Sequence, residues 1–124
     1  MSEPVNTTAP TDSILTSIKK LLGLDEDYTV FDTDVVFHIN STFWRLRQLG
    51  VGVDNFTITD KTATWADYLG DDLSKMEIVK TFTYLNVRLL FDPPTNNASL
   101  FNAYQQQLEK YESLIVYECD PHYE

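Results

Sequence analysis

The 124-residue chain has one cysteine, Cys119. An internal disulfide framework is therefore excluded, and the usage fits a reducing compartment. Glycine is scarce, with 4 residues, and proline contributes 5. Collagen-like and low-complexity chains are excluded on that composition. No apolar run approaches the roughly 20 residues that a membrane helix needs. Met1 to Thr11 is polar and lacks the basic and apolar regions of a signal peptide. The expectation is a chain made in the cytoplasm and kept there. Basic residues are few, 9 against 19 acidic ones, for a net charge of −10. Such a surface repels phosphate, which argues against sequence-specific nucleic-acid binding and against anionic membranes.

Catalytic and metal patterns are missing too. There is no Gly-rich phosphate loop, nucleophile elbow or H-E-x-x-H pattern. The two histidines are His38 and His122. Cys119 and His122 form C-x-x-H, but two ligands do not complete a tetrahedral zinc site. Asp25, Asp27 and Thr29 start like a calcium loop. Val30 then replaces the turn glycine and Val36 the bidentate glutamate, which excludes it. Asp71 and Asp72 precede a helix start, where dipole complementarity accounts for acids. No enzyme activity, cofactor or metal is expected.

What the chain does have is apolar and aromatic residues in helical spacing, 43% and 13% of the total. Residues 1–11 read as a flexible N-terminal arm. Ile14, Leu15, Ile18, Leu21 and Leu22 mark a first helix, capped by Thr11, Asp12 or Ser13 and stopped by Gly23. Val35, Val36, Ile39, Phe43 and Leu46 mark a second, with Asp32 as its expected N-cap and Gly50 as its end. Residues 56–59 alternate apolar and polar, predicting a short strand or extended loop; as a strand it would find its partner in a hairpin with residues near Ala63. Thr64 caps a short helical turn carrying Trp65, Tyr68 and Leu69, closed by Gly70.

Ser74 and Glu77 form a capping-box pattern before the most apolar helix. That helix carries Ile78, Val79, Phe82, Leu85, Leu89 and Leu90, and Asp92-Pro93-Pro94 stops it. Asn96 or Asn97 caps a last helix through Leu100, Phe101, Tyr104, Leu108, Tyr111 and Ile115. Residues 116–124 lose the period and predict an extended tail. The predicted class is all-α: four main helices plus one short helix over residues 12–115, with a short β-like loop and extended arms. Val116, Tyr117 and Tyr123 in a tail with no core to join suit docking on another chain; the alternative is a frayed terminus.

The order of pieces resembles the small helical head-to-tail connector family of long-tailed bacteriophages, the adaptor or neck proteins. Four stretches carry it: ILTSIKKLLG at 14–23 with its DEDYTVFD sequel, HINSTFWRLRQLGVG at 38–52, TWADYLGDD at 64–72 and VKTFTYLNVRLLFDPPTNNA at 79–98. The likeness covers Asp12 to about Glu112 and leaves both ends outside. It implies a virion protein of the neck between capsid and tail, synthesised in the host bacterial cytoplasm. The resemblance further implies a homo-oligomeric ring of about twelve copies, closed by head-to-tail contacts. Its partners would be the portal protein above and the stopper or tail-completion protein below. DNA would pass its lumen without specific binding.

Lys19, Lys20, Arg45 and Arg47 are the cations expected to face Asp25, Glu26 and Asp27 of a neighbour, with Trp44 supplying apolar contact. If the family's C-terminal segment reaches toward the portal here, Val116, Tyr117, Cys119 and Tyr123 are the docking residues. The rival reading is an acidic soluble binding module such as a DNA-mimic inhibitor. A mimic needs acids spaced along one face, whereas here they cluster in loops and caps.

Overall fold

A computed structural model describes residues 9–70 and 73–119, the last two of them by backbone only. Five helices follow in order: α1 (Ile14–Leu22), α2 (Asp32–Gln48), α3 (Trp65–Leu69), α4 (Met76–Phe91) and α5 (Ala98–Cys119). No strand occurs among the described residues; one isolated bridge joins Ser13 and Thr64. The all-α expectation of four main helices and one short helix holds.

Local chemistry sets most helix ends. The Ser13 hydroxyl accepts the Thr16 amide at 3.1 Å and starts α1. Gly23, at φ 85°, ends it with paired turns: its amide donates to the Lys20 carbonyl, and the Leu24 amide to Lys19. That is the left-handed stop a glycine permits. Thr64 and Asp67 cap α3 reciprocally. The Asn97 carboxamide accepts the Leu100 amide at 3.0 Å to open α5.

Two expected caps are not used. Phe31 occupies the N-cap position of α2, and Asp32 lies inside the first turn with its carboxylate on Lys19. Helix α4 starts at Met76 with Lys75 at the cap position and no side-chain cap, so Ser74 and Glu77 do not form the expected box. Asp71 and Asp72 lie outside the described residues.

Helix α4 packs against α1, α2 and α5 and is the centre of the bundle. Its buried arc runs through Met76, Val79, Phe82, Thr83, Leu85 and Val87, while Leu90 faces solvent. The helical period carries Leu90 past the edge of that arc. The Thr83 hydroxyl stays satisfied by donating to the Val79 carbonyl at 2.8 Å. Between α2 and α4, the Asn86 amide donates to the Thr42 hydroxyl at 2.8 Å, which donates to the His38 carbonyl at 2.9 Å.

Residues 56–59 form no strand and no hairpin. The Asn40 side chain takes the place of a strand partner: it accepts the Ile58 amide at 2.8 Å and donates to the Ile58 carbonyl at 2.9 Å. Ile58 is thereby held in the core. The N-terminal boundary also shifts. The Ala66 amide donates to the Pro10 carbonyl at 2.8 Å, and Trp65 to Asp12 at 3.3 Å. Residues 10–12 thus fasten the start of α3, and Pro10 and Thr11 are not part of a free arm.

The C-terminal expectation changes more. Helix α5 runs on to Cys119, so residues 116–119 are helical, not extended. No glycine or proline interrupts the chain between Ala98 and Pro121, and proline disfavours helix only from the residue before it.

An aromatic cluster locks the loop after α2 against α3. Phe43 and Tyr68 stack with centroids 3.9 Å apart, and Phe56 and Trp65 pack around them. Gly52 turns here at φ +87°, and an added Cβ would lie 2.4 Å from Tyr68 Cε1. Backbone and space both demand glycine. Gly52→Ala is expected to cost about 2 kcal/mol or more, read as a fall of several degrees in Tm by calorimetry. Unchanged Tm would mean that Tyr68 is not fixed over this turn.

Candidate docking surfaces

No cluster of three or more metal-ligating side chains occurs among the described residues. None of the helices is long and apolar enough to cross a membrane. A cleft of about 330 Å³ opens between α1, the α1–α2 loop and residues 59–61. Its lining includes the Lys19–Asp32 pair, which is engaged in holding the fold, together with Glu26, Asp60, Lys61 and several threonines. At its rim the Thr62 hydroxyl and amide hold the Asp60 carboxyl below its ordinary pKa range. These contacts make a turn. They create neither a nucleophile nor a general base.

The expected contact cations fall into three groups. Lys19 is buried; its ammonium donates to the carbonyls of Glu26 at 3.0 Å and Tyr28 at 2.8 Å and lies 2.9 Å from the Asp32 carboxylate. It is committed within the chain and is removed from the intersubunit set. Arg45 pairs with Glu112 of α5 and Arg47 with Asp54, both at the surface. Lys20 is exposed at the end of α1. Asp25, Glu26 and Asp27 are exposed in the following loop, their carboxylates turned to solvent while the Glu26 carbonyl binds Lys19.

The apolar candidates are better placed. Trp44 is 64% exposed on α2. It borders a cavity of about 250 Å³ with Arg47, Val53, Phe56 and Tyr68. Val116 and Tyr117 are exposed on α5. Cys119 is the last residue of that helix, and Tyr123 lies outside the described residues.

The sequence reading passed over a second exposed aromatic group. Tyr28, Phe31, Phe91, His38 and Phe37 form an edge-to-face series with centroids 5.4–6.5 Å apart. Phe37 is 65% exposed, and Val30 stands out beside the series. Phe37 lies two residues from both Val35 and Ile39, and so off their face; that offset is the signal that would have found it.

The surface therefore offers aromatic and aliphatic contact on a strongly acidic chain. A profile of phage connector proteins matches residues 14–122. The chain belongs to the phage connector protein family. Its role is structural, at the head–tail connection of a virion, and this family is not known for enzymes. No curated protein and no solved structure matches the chain significantly. The connector's matched region takes in all five helices and both aromatic groups.

Because Lys19 is buried and meets two loop carbonyls and the Asp32 carboxylate, its loss leaves those acceptors without their cation. Lys19→Ala is expected to destabilise the connector by about 3 kcal/mol. Arg47→Ala, at an exposed pair, is expected to stay within about 0.5 kcal/mol of wild type. Urea unfolding of both variants reads the difference; equal effects would mean that burial of Lys19 contributes nothing special.

Proposed function

We propose that this connector forms a ring of about twelve copies beneath the portal, extends the DNA channel and attaches the stopper or tail-completion protein. The family match over residues 14–122 is the observation that carries this reading. The charge of −10 supports it, because acids around a channel let DNA slide instead of gripping its phosphates.

Within the ring, Trp44 supplies the main apolar contact between neighbours. Lys20 and the surface guanidiniums of Arg45 and Arg47 face Asp25, Glu26 and Asp27 of the adjacent copy. Each such pair contributes little, so the ion pairs set orientation more than affinity.

The end of α5 docks on the portal through Val116, Tyr117, Cys119 and, beyond the helix, Tyr123. Helix α5 has 22 residues against 16 in α4, about 9 Å of additional helix. Ile115 is fully buried, whereas Val116 and Tyr117 after it are exposed.

Native mass spectrometry of the chain mixed with its cognate portal tests the proposal. One connector chain per portal subunit is the expected stoichiometry. Absence of any complex between folded partners would overturn it. Truncation after Ile115 spares the core and is expected to abolish portal attachment with the helical circular dichroism retained. Undiminished attachment would remove the α5 end from the docking site.

A further inference from the structure

Phe37 and Trp44 are seven residues apart on α2, so two helical turns return them to one side. They are 65% and 64% exposed. Ser41, also exposed, lies between them and leaves a notch between the two rings. The acid Asp34 stands at the N-terminal end of this face and Arg45 near its C-terminal end, both exposed. Aromatic groups balanced about a small residue, with opposite charges at the two ends, make a surface complementary to its own reversed copy.

We infer that the free chain pairs through this face with a second copy, the two α2 helices antiparallel and Ser41 near the two-fold axis. Phe37 of each copy packs beside Trp44 of the other. Asp34 of each falls near Arg45 of the other, whose five donors allow a second carboxylate beside Glu112.

The occupant follows from this symmetry. Both rings lie on one side of α2, so a single neighbour can cover them together. An antiparallel second copy offers a matching ring for each and the opposite charge at each end. Large aromatics bury about 150–250 Å² each on full burial. At 65% and 64% exposure, two per copy offer roughly 200–320 Å², about a third of the ~800 Å² per partner of a standard interface. One consequence rests on the ring reading above: the pair covers Trp44, so a paired copy cannot use it toward a ring neighbour. The free dimer would then have to open before ring closure.

Sedimentation velocity on the full chain alone, across the micromolar range, tests the pairing without the portal. A concentration-dependent dimer is expected, and Phe37→Glu or Trp44→Glu should weaken it at least tenfold. Both positions are exposed, and circular dichroism checks that the variants fold. Geometry is tested separately by a short bis-maleimide in a Cys119→Ser background. Ser41→Cys should cross-link to its own copy, whereas Gln48→Cys, two turns from the axis, should not. A chain that stays monomeric overturns the inference. So does a dimer indifferent to Phe37 and Trp44, or one that cross-links through Gln48→Cys and not Ser41→Cys. Each of these failures leaves the portal stoichiometry to judge the ring reading independently.

Discussion

The buried ammonium of Lys19 is the constraint on which much of this connector depends. A cation taken out of water is tolerated only when acceptors replace its hydration. Here the carbonyls of Glu26 and Tyr28 and the carboxylate of Asp32 do so. One side chain thereby ties the end of α1 to the acidic loop and to the first turn of α2. The loop's own carboxylates stay in solvent, while its backbone is drawn inward. Tyr28 and Phe31 are displayed at the surface as a result, edge-on to one another and to Phe91.

The same solution recurs where the chain lacks regular partners. A long connection between α2 and α3 would leave backbone groups unpaired. The Asn40 carboxamide meets both polar groups of Ile58, and the Tyr68 carbonyl accepts the Val53 amide at 3.1 Å. The indole of Trp65 donates to the Ser17 hydroxyl at 3.2 Å. Around these polar ties, Phe43, Phe56, Trp65 and Tyr68 fill the interior by ring contact. The loop is thus packed and hydrogen-bonded from both sides, and it carries the rim of the Trp44 cavity.

A structural connector has to hold its neighbours by packing. That demand suits a helical frame with apolar side chains left outside it. Phe37 and Trp44 contribute nothing to the core at their exposures, and burial in a partner is the favourable fate for such groups. Acidic residues around them limit indiscriminate association, since copies of net charge −10 repel at a distance.

Helix number, most helix positions, the Thr64 cap, the Gly23 stop and the family were legible in the sequence, while Ser13 was one of three candidate caps for α1 and Asn97 one of two for α5. Each depends on residues within a few positions of one another, or on an order of motifs that needs no coordinates. Tertiary structure decided the rest. Lys19 looked like a surface cation at a helix C-terminus, because its acceptors lie 7 to 13 residues further on and meet it only after the chain folds back. Asp32 looked like a cap for the same reason. Residues 56–59 read as a short strand or an extended loop; the loop is what forms, because the partner that satisfies Ile58 is a side chain 18 positions away. Helix α5 outran its apolar period because helix, once begun, continues cooperatively until something breaks it. Periodicity marks which face is buried and puts Phe37 and Trp44 together off it; only the assembled bundle showed that no other helix covers them.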